Sequence, residues 1–218
     1  MAATKILLVL GAGKNIGQHI AQGFKAAGYK IALVSRSAAD NETTPEGYLT
    51  LKGDLTQPSI YNAAAVSQPA DQQNHFSIPI KDLDADLAVN HTSAYVAAGQ
   101  AVAGFDTLPK DTPKVFIYTG NLLAAVTKPV PFFTSLGIGK SAASYWIGAS
   151  SQLYKDKGYK FYFADERTET GDPVGNAISG PAAAEFYVEL ADDKKEVPWF
   201  ATFVPGKGYV DFPDSKRS

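Results

Sequence analysis

The apolar run Lys5–Leu10 passes directly into Gly11-Ala12-Gly13-Lys14-Asn15-Ile16-Gly17 and from there into a helical pattern. No other feature of the chain restricts its fold as much. Small residues at a strand-to-helix turn let the backbone approach a pyrophosphate closely. The free N–H groups and positive dipole end of the following helix then favour that anion. A glycine triplet alone says little. At the first turn of an alternating chain it points to a dinucleotide site, with Gly11, Gly13, Lys14, Asn15, Ile16 and Gly17 as candidate cofactor contacts.

The alternation continues. Ile16–Ala27 reads as a helix with Ile16, Ile20 and Phe24 on one face, ended by Gly28. Lys30–Ser35 and Tyr48–Lys52 read as strands, Leu83–Phe105 as one long Ala-rich helix, and Lys114–Thr119 as a strand. Gly139–Lys157 is expected to be helical, and Tyr159–Ala164 a strand closed by Asp165-Glu166-Arg167. Pro181–Ala191 follows as a helix and Trp199–Val204 as the last strand. Gln68–Asn74 and Thr168–Asn176 read as polar loops. The sequence shows neither a repeat nor a domain boundary. This pattern predicts an α/β fold of the Rossmann type: a doubly wound, mostly parallel sheet in one domain spanning residues 1–218, helices covering both faces.

Composition narrows the function. With 20 basic and 22 acidic residues and no basic stripe, neither nucleic acid nor an anionic membrane is an expected partner. There is no cysteine, which removes disulfides, thiolate metal sites and a cysteine nucleophile. His19, His75 and His91 are too scattered for a metal cluster. No apolar run approaches the ~20 residues of a membrane span, and Gly11, Gly13 and Lys14 stand where a signal peptide would need a cleavage site. A soluble, cytoplasmic protein is expected.

The second strand ends in Ser35-Arg36. In this fold that position meets the adenosine ribose, where an acidic residue selects a free 2′-hydroxyl and arginine selects a 2′-phosphate. Arg36, with Ser35 and Lys14, therefore predicts NADP(H) over NAD(H).

At this point the chain resembles the short-chain dehydrogenases/reductases over most of its length. Gly11…Asn15-Ile16-Gly17 is similar to the family's glycine motif, with Asn15 in place of its middle glycine. Gly53-Asp54-Leu55-Thr56 resembles the segment whose aspartate faces the adenine. Tyr61-Asn62-Ala63-Ala64 resembles the Asn-Ala-Gly segment after the fourth strand. Asn90 matches the asparagine of the long central helix, and Lys140 the lysine that holds the nicotinamide ribose. The resemblance thus adds Asp54, Leu55, Asn62, Ala63, Ala64 and Lys140 to the cofactor residues, and implies Lys140 and Asn90 as catalytic residues.

The pattern breaks at the acid. The family's proton donor is a tyrosine four residues before that lysine, and Leu136 stands there. The family's serine falls at Gly120, with Thr119 and Asn121 as candidates to supply its hydrogen bond. Tyr118 and Tyr145 are candidate substitute acids. The Pro-Gly motif that flanks the nicotinamide is replaced by Asp165-Glu166-Arg167-Thr168, either a remodelled acid/base site with an anion clamp or a solvated loop held by an ion pair.

A second break is geometric. The third strand ends near Leu55 and the fourth begins near Ile60. In the family's strand order they lie about 14 Å apart across the sheet and roughly 17 Å along it, about 22 Å in all. The five links between them reach at most about 18 Å, and a parallel crossover takes a dozen or more residues. The helix expected between the third and fourth strands is missing from the sequence, through a rearranged sheet or a shortened chain.

The sequence therefore predicts an NADP(H)-binding, short-chain-reductase-like protein acting on a carbonyl compound with a non-standard proton donor. The alternative is a non-catalytic dinucleotide sensor or scaffold. A third reading is a non-redox enzyme using Asp165 or Glu166. Because family members pair through the long central helix and the next, a homodimer or homotetramer is expected.

Overall fold

The computed structural model describes residues 5–53, 66–71, 73–125, 129–192 and 195–212. β1 (Ile6–Leu10), β2 (Lys30–Ser35), β3 (Glu42–Thr43) and β4 (Leu49–Lys52) form one sheet in the order β1-β2-β4-β3. β5 (Lys114–Thr119), β6 (Tyr159–Glu166), β7 (Phe200–Val204) and β8 (Gly208–Tyr209) form a second, ordered β5-β6-β7-β8. Within each, the three long strands run parallel and a two-residue edge strand runs antiparallel. The edge strands escape sequence reading because two residues carry no alternation. Their glycine turns, Gly47 (φ 80°) and Gly206 (φ 75°), are the visible signal. The strand expected from Ile60, and its link to Leu55, lie outside the described residues.

Period-two alternation sorts the strand residues onto two cores. Tyr162, Ala164, Ala201 and Phe203 join Val9 and Ile31 beneath α1 (Ile16–Ala26) and α5 (Gly180–Asp192). That core spans both sheets. Phe161, Phe163 and Phe200 face the other way, against α3 (Ser93–Phe105) and α4 (Thr134–Leu153). The α/β architecture with parallel strands and two helical layers is as the sequence predicts. α1 buries Ile20, Ala21 and Phe24, and Gly28 ends it at φ 86°.

Two expectations change. The helix expected over Leu83–Phe105 is interrupted: α2 covers Ile80–Leu87, and Ala88–Thr92 widens into a π turn before α3. The carbonyl of Asn90 accepts a 2.6 Å hydrogen bond from Tyr118 Oη on β5. Such π turns often mark functional sites, and no Gly or Pro announces this one. Second, α4 begins at Thr134, one turn earlier than Gly139 suggests. Glycine weakens a helix interior, but a Cβ on Gly139 would lie 2.5 Å from Asn90 Cβ. The close approach of α4 to the π turn requires it. Among the described residues no helix is long and apolar enough to cross a membrane.

Candidate functional site

The glycine turn is built as the motif predicts. Gly11 adopts φ 82°, and the N–H groups of Gly11 and Ala12 both donate to Val34 O at 3.1 Å, which ties the turn to β2. A Cβ on Gly17 would stand 2.7 Å from Ala12 Cα and 3.1 Å from Gly11 O. Only glycine lets the helix start this close to the strand, which is the cradle a pyrophosphate needs. Ile16 is partly buried behind the turn, while Gly13, Lys14 and Asn15 are exposed.

Asn15 occupies the N-cap position of α1 but makes no side-chain cap. Its amide donates instead to Ile178 O at 3.2 Å. His19 Nδ1 lies 2.8 Å from Asn15 O, and a Cβ on Gly180 would strike both His19 Nδ1 (2.4 Å) and Asn15 Oδ1 (2.7 Å). The glycine turn is thus fastened to the chain entering α5. Ser35 is half-buried at the end of β2, and Arg36 and Lys14 are exposed with no ion pair or hydrogen bond among the described residues. Asp54, Leu55, Asn62, Ala63 and Ala64 lie outside the described residues.

The second centre lies at the ends of β5 and β6. Lys140, only 3% exposed, extends from α4 and donates to Thr119 O at 2.8 Å, with its ammonium 4.4 Å from the centre of the Tyr118 ring. Burial pushes its pKa down to about 8, partly opposed by the Asp165 carboxylate. Thr119 receives a second proton donor: Tyr187 Oη, from α5, donates to Thr119 Oγ1 at 2.9 Å. Burial raises both Tyr118 and Tyr187 well above the usual tyrosine range. Asn90 is fully buried beside these groups. The structure therefore brings Lys140, Asn90 and Thr119 together. Asn121 is differently engaged, because its Oδ1 accepts from Leu123 N at 3.1 Å and caps the short turn that follows. Tyr145 is 77% exposed and turned away. Leu136 is buried one helical turn before Lys140. At Gly120 an added Cβ would fall 2.1 Å from the Phe163 ring, so an aromatic core residue occupies the space a serine would take.

Asp165, Glu166 and Arg167 are not a solvated loop. β6 runs on through Glu166, and the three residues are 0%, 5% and 1% exposed. Arg167 Nε and Nη2 both reach Asp165 Oδ2, at 2.7 and 2.6 Å, and Nη1 donates to Gly171 O at 3.0 Å. Glu166 accepts from Ser179 N through both oxygens, at 3.1 and 2.9 Å, just before α5. Burial pushes both carboxyls above their usual range, while the Arg167 and Lys140 cations pull Asp165 back. A permanently charged guanidinium at 2.6 Å keeps Asp165 ionised at neutral pH. Asp165 Oδ1 is buried without a hydrogen-bond partner. Sequence reading missed Tyr187, whose polar tip on an apolar helix face is its only signal.

No family model matches the chain. The short-chain dehydrogenase/reductase dmxR12 of Cryptosporiopsis sp. (strain 8999) is 38% identical over 241 residues, covering 97% of this chain and 96% of that protein. The chain belongs to the short-chain dehydrogenase/reductase family. Solved short-chain dehydrogenase/reductase structures share its fold. A mutant of the Serratia marcescens enzyme aligns at TM-score 0.71 and 18% identity, over 93% of this chain and 96% of that one. A metagenomic short-chain oxidoreductase in complex with NADP aligns at 0.70 and 16%, over 93% and 97%. The landomycin C-6 ketoreductase LanV, with bound NADP and rabelomycin, aligns at 0.70 and 18%, over 94% and 95%. The two centres described above, the glycine turn and the ends of β5 and β6, thus sit in a short-chain dehydrogenase/reductase framework.

Proposed function

We propose that this chain is an NADP(H)-dependent reductase of a small carbonyl compound, in which Lys140 itself supplies the proton that the family's tyrosine would give. The observation that carries this reading is the burial of the Lys140 ammonium on Thr119 O, with a pKa near 8. Leu136, one turn earlier on the same helix, has no proton to give. The cofactor would supply a hydride. Lys140 and Asn90 would position its ribose end, Thr119 would anchor Lys140, and the proton would leave Lys140 Nζ for the carbonyl oxygen. A catalytic acid works best with a pKa near the working pH. Tyr118 and Tyr187, raised by burial, fit that role poorly.

Support for NADP(H) over NAD(H) comes from Arg36 and Lys14, two exposed cations without partners among the described residues, beside the turn that would hold the pyrophosphate. Three of the similar structures hold NADP, while one holds NAD and another is named as an NADH-dependent reductase. A second reading, a non-catalytic dinucleotide sensor, is favoured by Leu136 and by the Phe163 ring filling the serine's place.

Titration with NADPH and NADH side by side, followed by Trp146 and Trp199 fluorescence, tests the cofactor assignment. Arg36→Ala should weaken NADPH by about 1.5–3 kcal/mol and leave NADH nearly unchanged; equal losses would remove the basis for NADP(H). Turnover with a panel of activated ketones separates reductase from sensor. As a proton donor Lys140 must be charged, so reduction should fall as pH rises through about 8. Lys140→Arg, which keeps the charge but holds its proton, should bind NADPH and lose reduction. Binding without any turnover by the unaltered chain supports the sensor.

A further inference from the structure

At the end of β6 one buried acceptor has nothing to accept from. Asp165 is fully buried, its Oδ2 accepts from Arg167 Nε and lies 2.6 Å from Nη2 in an ion pair, and its Oδ1 has no hydrogen-bond partner. Leaving such an oxygen unsatisfied is costly. The β5–β6 register pairs Thr119 with Ala164, so Asp165 stands one residue beyond the strand position whose carbonyl holds Lys140. A dinucleotide lies across the carboxyl ends of the strands. With its adenosine toward Arg36, just past β2, and its pyrophosphate at the glycine turn, the nicotinamide lies toward β5 and β6.

We propose that Asp165 sets the redox preference of the bound dinucleotide, favouring the cationic oxidised ring over the neutral reduced one. The inference rests on the NADP(H) reading above. Four charged groups meet at these strand ends, Lys140 and Arg167 against Asp165 and Glu166, and they sum to zero. The aromatic hydroxyls of Tyr118 and Tyr187 beside them stay neutral. The two cofactor forms differ by one positive charge on the ring. Removing the Asp165 charge leaves the cluster at +1, which acts alike on the phosphates of both forms and disfavours the cationic ring relative to the neutral one. Unit charges about 10 Å apart at an effective dielectric of about 20 change a binding constant by roughly ten-fold. An anion here also assists hydride donation, because the ring becomes positive as the hydride leaves.

The test is the ratio of dissociation constants for NADP+ and NADPH at pH 7, measured by titration calorimetry on the full chain. Asp165→Asn keeps the acceptor for Arg167 and removes the charge. The ratio should rise by about ten-fold, with the NADPH constant moving less than about three-fold. Lys140→Met leaves the cluster at −1 and should move the ratio the other way, even as it weakens both ligands. It also serves should Asp165→Asn fail to fold. Both constants changing equally in these variants, with the ratio fixed, overturns the proposal and leaves Asp165 a structural partner of Arg167. Failure of the unaltered, folded chain to bind either nucleotide overturns the NADP(H) reading, and this inference with it.

Discussion

Lys140 carries a charge into a place where the Thr119 carbonyl, the Tyr118 ring and the Asp165 carboxylate must stand in for water. Its folded value near 8 lies below the ordinary 10.5. Below pH 8 both folded and unfolded chains hold the proton, and the folded chain bears the full cost of burying it. Between 8 and 10.5 the folded chain releases a proton that the unfolded chain keeps, so the cost fades as pH rises. Lys140→Met is therefore expected to stabilise the protein at pH 7 by on the order of 1 kcal/mol, after losing the bond to Thr119. The gain should shrink toward pH 10. Urea unfolding at pH 7 and pH 9.5 measures both, and a Met variant that is less stable at pH 7 would show that Lys140 is held by more than it costs. A group retained against stability is the ordinary mark of a functional site. The same scale limits attempts to restore the family pattern. Gly120→Ser would drive its Cβ into Phe163, which is stacked between Tyr118 and Phe200 at 5.5 and 5.0 Å. Overpacking of that kind costs about 1–3 kcal/mol.

At the scale of elements, Asn15 joins the start of α1 to the chain entering α5, and Glu166 joins that same chain, through Ser179, to the end of β6. The glycine turn and the charged strand end are therefore two ends of one hydrogen-bonded path. Replacing Asn15 with glycine, the family's usual residue, removes the bond to Ile178 O, worth about 1 kcal/mol. Amide exchange between Val174 and Gly180 should quicken by about five-fold, while NADPH affinity changes less than about three-fold. Hydrogen-exchange mass spectrometry reads the first, and unchanged protection there would mean that the Asn15–Ile178 bond fastens nothing. The glycine turn was legible in the sequence because its requirement is local: φ 82° at Gly11 and a missing Cβ at Gly17. So were the long strands and most helices, from apolar period and length. The π turn at Asn90 was not, because its cause is a hydroxyl on β5, far away in sequence. The burial of Asp165-Glu166-Arg167 was hidden for a similar reason. Three charged residues in a row leave a buried site and a solvated loop equally open, and only the fold shows that Arg167 holds Asp165 Oδ2 and Ser179 holds Glu166.

Across the whole molecule, the described residues leave one face of the first sheet open. β1 packs Leu7 and Val9 into the core under α1, but Ile6 is 69% and Leu8 52% exposed on the other side. A parallel strand is normally covered on both faces, and its apolar run is continuous for that reason. The handedness of crossovers says what should lie there. α1 connects β1 to β2 on one face; a connection returning across the sheet in the opposite direction, toward the expected fourth strand, must run over the opposite face to keep the same hand. That is the helix for which, by the sequence estimate, Leu55 to Ile60 leaves no room. The Cryptosporiopsis relative is aligned over 241 residues against the 218 of this chain, so it carries residues that have no counterpart here. If the open face is the trace of that missing crossover, its apolar residues contribute almost nothing to stability. Ile6→Thr and Leu8→Thr should each cost less than about 0.5 kcal/mol, as surface changes do, since threonine suits a strand as well. Val9→Thr, one residue away on the covered face, buries a hydroxyl and should cost about 1–3 kcal/mol. The double variant Ile6→Thr/Leu8→Thr should also bind less of a dye that reports exposed apolar surface. Urea unfolding of the three single variants decides the matter: costs at Ile6 and Leu8 comparable to that at Val9 would mean that something already covers this face.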